Sequence, residues 1–325
     1  MGIFNLKILF EIKNYLILPN NVLFIVSAGV LFAATFFIPI AIFNLLKNKL
    51  NPLWVIYFLI IFGVVFAVLS LIQIYYNPLS AIWQNRFNGI APHPIFASII
   101  YSVTLSSSLA LLSIDKSKFY WYLASIFFLV LLILTGSRSG LLLFVLQSIT
   151  FFLLGLILEK KISYISVILF FNLAVLVGVF VVLFPDAFAD LGFRSISSKD
   201  TRTEVWTSLF GSFLDSPWEG SELNKSSENT YLLFLSRLGI VFLPLLLFIL
   251  MHFSIMTGSL YKRVESFHPT MSLEAKVIFK YQFSLFFGFF VLAVFEGFGS
   301  DLMSYSVIIL LISTGTLGYF YDEYA

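Results

Sequence analysis

The sequence has no cysteine, which removes disulfides, thiolate metal sites and cysteine nucleophiles together. Charge is scarce as well. Only 11% of the 325 residues are Asp, Glu, Lys or Arg, where a soluble domain carries about a quarter. There are three histidines, and no His/acid cluster has the spacing of a metal site. Neither a Walker phosphate loop nor a dinucleotide-binding glycine pattern occurs. The internal repeat that builds many secondary transporters is missing too. A net charge of +2 is too small to engage nucleic acid. The expectation is therefore no metal and no cofactor, so that any chemistry must use a substrate that arrives already activated.

What is abundant is apolar sequence. Hydrophobic residues make up 60% of the chain and the mean hydropathy is +0.99. The apolar runs are long enough to cross a hydrocarbon layer, which takes about 20 helical residues. Backbone polar groups left unpaired in lipid are costly, so such runs fold as helices. The expected fold is all-α: one polytopic transmembrane domain over residues 1–325, with nine spans or ten. The nine are Val22–Leu46, Leu53–Tyr76, Ile95–Ile114, Phe119–Leu134, Leu141–Leu158, Ser163–Phe184, Tyr231–Met256, Ile278–Phe298 and Leu302–Phe320. Met1–Asn20, with Lys7, Glu11 and Lys13, lacks a small-residue cleavage site and does not read as a signal peptide. It reads as a surface helix or a tenth span.

The connections are short except Pro185–Thr230, and a loop of that length is usually functional or disordered. Lys47, Lys49, Lys116, Lys118, Lys160, Lys161, Lys262, Arg263, Lys276 and Lys280 fall on one side, which the positive-inside rule makes cytoplasmic. The opposite side holds the long loop and Arg86, Arg138, Arg194, Arg202 and, just inside a helix, Arg237. A point charge suffices for topology, and lysine serves there. Arginine adds a planar fork that grips phosphate bidentately. Capping of loop ends and binding of lipid head groups are the plainer uses of the same arginines.

Four stretches on that side can carry chemistry. Thr135-Gly-Ser-Arg138-Ser-Gly140 offers a cation and hydroxyls on a tight turn, and also fits a simple interfacial connection. Arg86-Phe-Asn-Gly89 continues into His93-Pro94, where the His is a proton carrier or a helix cap. Thr201-Arg202-Thr-Glu204 resembles a capping box. Val205, Trp206, Leu209, Phe210, Phe213 and Leu214 follow as one apolar helical face, suited to lying on the membrane or closing over the bundle as a lid. Glu228-Asn229-Thr-Tyr231 enters a span carrying Arg237, with Glu228 either a general base or a solvated carboxylate at a helix start.

In their order, with a large loop in the matching place, these stretches resemble the O-antigen ligase and O-antigen polymerase family over about Ala81 to Phe248. The shared set is Arg-Phe-Asn-Gly…His-Pro, Thr-Gly-Ser-Arg-Ser-Gly, Arg202-x-x-x-Trp206…Pro217-x-x-Gly220 and Glu228-Asn-Thr-Tyr-Leu232…Gly239. The resemblance implies a metal-independent, inverting glycosyltransferase of the bacterial inner membrane, with its active site facing the periplasm and an undecaprenyl-pyrophosphate-linked oligosaccharide as substrate. Arg138 and Arg202 would hold the pyrophosphate, with Arg86 and Arg194 as helpers; Arg237, Asn229 and Tyr231 are the further candidates for contact with the pyrophosphate or glycan. Membrane lipid is a second partner, and the resemblance also admits a chain-length regulator protein. Glu228 stands where family ligases place a His, a departure that points to the polymerase, which joins repeat units, over the ligase, which moves polymer to lipid A core. A lipid-glycan flippase is the contrasting class, and would place charges deep within several spans.

Overall fold

The computed structural model describes residues 37–48, 50–83, 86–115, 119–159, 201–218, 230–241, 271–293 and 305–323. These are mostly helical. We number the helices α1 (Phe37–Lys47), α2 (Leu53–Tyr76), α3 (Pro94–Ile114), α4 (Phe119–Leu134), α5 (Arg138–Glu159), α6 (Thr201–Asp215), α7 (Thr230–Leu238), α8 (Leu273–Leu292) and α9 (Tyr305–Glu323). Among the described residues, four of them have the length and apolarity to cross a bilayer: α2, α3, α5 and α8. Of the expected spans, Ser163–Phe184, residues 22–36, residues 242–256, residues 294–298 and residues 302–304 lie outside the described residues, as does most of the Pro185–Thr230 loop.

The expected spans Leu53–Tyr76 and Phe119–Leu134 coincide with α2 and α4. Others shift for local reasons. The helix expected from Ile278 begins at Leu273, because Ser272 caps it by accepting a hydrogen bond from the Ala275 amide at 3.1 Å. The helix expected from Leu141 begins at Arg138. A feature absent from the all-α expectation is a two-stranded antiparallel ribbon, β1 (Ile82–Trp83) and β2 (Arg86–Phe87), with Ile82 opposite Phe87 and Trp83 opposite Arg86. A 3₁₀ turn, Pro78–Ala81, leads into it from α2.

Helix α3 is the centre of the bundle and packs against α2, α4, α5 and α8. It is rich in hydroxyls, which in an apolar bundle need partners. Most turn back onto their own helix: Thr104 Oγ1 donates to the Ile100 carbonyl at 2.8 Å, Ser107 Oγ to Val103 at 2.8 Å and Ser108 Oγ to Thr104 at 2.9 Å. Ser107 also hydrogen-bonds the Tyr281 hydroxyl of α8. By contrast α2 exposes Phe58, Ile61, Val65, Val68 and Ile72 on its outer side, as a lipid-facing helix should. Its inner side comes close to α3 at Gly63, where any Cβ would collide with Thr104.

These contacts fix which helix ends lie together. Gly140 abuts Ser98, so the first turns of α3 and α5 are neighbours. Gly288 lies on Gln147 and Leu143, and Gly155 near the Lys280 ammonium, so α8 runs antiparallel to α5. One end of the bundle therefore gathers the ribbon, the N-termini of α3 and α5 and the C-termini of α4 and α8. At the other end Lys47 pairs with Asp322 at 2.9 Å. Lys280, counted in sequence among the charges of the membrane surface, is instead 6% exposed within the bundle, its ammonium 5.0 Å from the centre of the Phe151 ring.

Candidate functional site

The ribbon end is built around an alternation in β2. Phe87 points inward, 8% exposed, and stacks on Tyr101 with ring centres 6.2 Å apart. Tyr101 in turn touches Phe66 and Phe128, so one aromatic cluster pins the ribbon to α2, α3 and α4. The neighbouring residue, Arg86, then points the other way. Its Nε donates to the carbonyl of Thr135 at 3.0 Å, which ties the ribbon to the α4–α5 connection. The two motifs read separately in sequence are thus parts of one surface.

The connection itself is shorter than the sequence suggests. Only Thr135, Gly136 and Ser137 lie between the helices. Gly136 adopts φ +57°, the left-handed conformation that favours glycine. Thr135 Oγ1 donates back to Leu132 at 2.7 Å, and Ser137 Oγ accepts from the Gly140 amide at 3.4 Å as an N-cap. Arg138 is consequently the first residue of α5 rather than part of a loop, and it is exposed. A cation in that position faces the positive end of the helix dipole, a placement that disfavours the helix by about 0.3–1 kcal/mol.

Helix α3 starts alongside. His93 is its N-cap, Nδ1 accepting from the Ile95 amide at 3.3 Å, with Pro94 as the first residue. Nδ1 therefore carries no proton and the neutral ring holds it on Nε2. Partial burial, and after it the charge of Arg86, lowers the His93 pKa below its ordinary value. Trp83, directly opposite Arg86 in the ribbon, lies with its ring 5.9 Å from that of His93 and is 46% exposed. The sequence reading passed over Trp83. The signal in the sequence is slight: in Ile-Trp-Gln-Asn-Arg-Phe two short pairs, each with an aromatic residue, flank the polar Gln-Asn.

The site therefore has two helix N-termini side by side, with Arg86 tied to the α4–α5 turn and Arg138 exposed at the start of α5. The positive ends of two helix dipoles and two arginines of the same sign share this end of the bundle, which is the electrostatics of an anion site.

The other candidate residues are distributed as follows. Arg202 lies in the first turn of α6 and Arg237 in the last turn of α7. Arg194, Glu228 and Asn229 lie outside the described residues. Tyr231 donates its hydroxyl to the Phe290 carbonyl at 2.9 Å, with its ring against Phe290, and so docks the start of α7 on the C-terminal end of α8. That brings α7 to the same end of the bundle as Arg86 and Arg138. Helix α6 packs on α7. The Pro217 carbonyl accepts from the Ile240 amide at 2.7 Å. Gly239, at φ +61°, leaves room for that crossing, since a Cβ there would lie 2.5 Å from the Pro217 oxygen. The Pro217 and Gly239 motifs are thus one joint.

No protein-family model matches the chain, and neither a curated protein nor a solved structure matches it.

Proposed function

We propose that this protein is a membrane glycosyltransferase of the O-antigen polymerase type, joining polyprenyl-pyrophosphate-linked oligosaccharide units at the periplasmic face of the inner membrane. The observation that carries the reading is the convergence of Arg86, Arg138 and the paired N-termini of α3 and α5 at one end of an apolar bundle. A diphosphate anchored in lipid by its prenyl chain would meet that surface at the depth where its charge resides.

In this reaction the acceptor hydroxyl attacks the anomeric carbon of the donor sugar. The bond to the diphosphate oxygen breaks, and the lipid diphosphate leaves with the electron pair. Negative charge grows on the leaving group, so fixed cations and amide dipoles stabilise the transition state more than the ground state. Glu228 is assigned the acceptor proton, and Arg202, Arg194 and Arg237 the remainder of the diphosphate and glycan contacts. Asn229 and Tyr231 are assigned to contact with the glycan.

The test is the surface polysaccharide of a deletion strain, resolved on a gel. A lost polymerase leaves one repeat unit on the lipopolysaccharide core and gives a single short band. Complementation with Glu228→Gln, which keeps the shape and removes the base, should leave that band unchanged. Bare core with polymer stranded on the carrier would identify a ligase instead. Bare core with no external polymer would identify a flippase.

A further inference from the structure

Helix α6 has three sectors. Trp206, Leu209 and Phe213, at i, i+3 and i+7, form its covered row, with Leu209 only 1% exposed and the other two half-buried. Glu204, Ser208, Gly211 and Asp215 make the opposite row, at i, i+4, i+7 and i+11, with both carboxylates exposed. Between them runs a row that is apolar yet uncovered. Phe210 is 48% exposed and Leu214 59%, and Trp218 just past the helix end is 73%. Packing on α7 accounts for the first sector and water for the second. Neither accounts for the third.

What lies beside that third row is legible from the joint with α7. The Pro217 carbonyl is bonded to the Ile240 amide. Ile240 is 37% exposed and opens the run Ile-Val-Phe-Leu-Pro-Leu-Leu-Leu-Phe-Ile-Leu, which contains no polar side chain. Such a run belongs in hydrocarbon. Trp218 therefore lies beside the first residue of that run, and Leu214 and Phe210 continue its exposed apolar row along α6. A tryptophan at that boundary is in its preferred place, with an apolar body and a polar N–H.

We propose that α6 lies in the membrane–water interface with Phe210, Leu214 and Trp218 immersed in the lipid of the leaflet at the ribbon end. It is not a lid over the bundle. Its partner on this side is the acyl region of the bilayer, and its carboxylate row faces water, the arrangement of an interfacial amphipathic helix. The inference does not depend on the enzymatic reading. It does bear on it, because Arg202 in the first turn of α6 is then held at the depth of the head groups.

The absence of native cysteine makes the test direct. Single cysteines at positions 204, 210, 214, 215 and 218 are spin-labelled in vesicles of phosphatidylethanolamine and phosphatidylglycerol. Collision with oxygen, which concentrates in lipid, is compared with collision with a water-soluble nickel chelate. Positions 210, 214 and 218 should favour oxygen, and positions 204 and 215 the nickel chelate. Nickel access at 210 and 214 equal to that at 204 overturns the proposal, and so does shielding of both positions from both reagents, the signature of a lid or a second copy. A second measurement needs no label: quenching of intrinsic fluorescence by bromine-substituted phosphatidylcholine should lose a component in Trp218→Phe. An unchanged quenched component overturns the proposal equally.

Discussion

Arg86 Nε and the carbonyl oxygen of Thr135 are 3.0 Å apart although 49 residues separate them in sequence. The bond does two things at once. It closes the ribbon against the α4–α5 turn, and it fixes the plane of the guanidinium at that turn. Lysine cannot reproduce that, because it has no Nε–H fork to hold in a plane. Arg86→Lys should therefore lose activity although the charge remains. A hydrogen bond to a charged group contributes about 1.5–3 kcal/mol, so the loss should be about tenfold to a hundredfold in polymer formation. Wild-type turnover in purified Arg86→Lys would show that charge alone suffices there.

Arg138 should separate stability from function. It is exposed at the first position of α5, where the helix dipole opposes a cation. Removing it takes away no core packing and relieves that repulsion. Arg138→Ala should keep or slightly raise the thermal midpoint of the detergent-purified protein. Its activity should nevertheless fall about a hundredfold or more, the effect of removing about 3 kcal/mol of leaving-group stabilisation. Arg202→Ala should show the same activity loss with normal membrane insertion. Near-wild-type rates in both variants would remove them from the site.

His93 gives a pH signature. Its pKa is lowered in the folded protein by partial burial and then by Arg86. The folded state thus disfavours the imidazolium, and its Nδ1 can cap α3 only while unprotonated. A lowered folded pKa means that the unfolded chain binds the proton first as pH falls. The contribution to stability is complete above about 6.5, the ordinary histidine value, and is lost as pH falls through the lowered folded value. The thermal midpoint should decline on acidification through this window. In His93→Asn, which retains a capping acceptor without the titration, that part of the decline should vanish. A decline of equal size in both proteins would assign it to other groups.

Much of the bundle was legible in the sequence because apolar runs have only one solution in lipid. The ends of α2 and α4 could be read to the residue because Pro52, Asn77 and the Thr135-Gly136 turn break the pattern sharply. Helix α8 was misplaced because Lys276 and Lys280 looked like a boundary. Yet Ser272 caps the helix ahead of them, and the long Lys280 side chain finds cover on Phe151. Hydropathy sees the charge and not the cap. The candidate site was half legible. Arg86, His93 and Arg138 were identifiable as residue types on one side of the expected topology, but their meeting depends on Phe87 inserting among Tyr101, Phe66 and Phe128 and on Gly140 clearing Ser98. Those are tertiary contacts with no local signature.

The residue with the most to add is Trp83. It faces Arg86 across the ribbon, and side chains of directly opposed residues project from the same face. Its ring lies against His93 and remains 46% exposed. A sugar ring bonded to a diphosphate presents C–H groups within a few ångströms of the phosphate, and an aromatic face takes such groups well. If Arg86 meets the diphosphate, Trp83 is placed for the first sugar. Trp83→Ala should then raise KM for the lipid-linked donor severalfold, with a smaller change in kcat. Trp83→Phe, which keeps a flat aromatic face, should recover most of the difference. A structural role would behave otherwise: both variants would lower the thermal midpoint and the yield of folded protein while leaving KM of the surviving fraction alone. Equal KM values in wild type and Trp83→Ala would confine Trp83 to packing against His93.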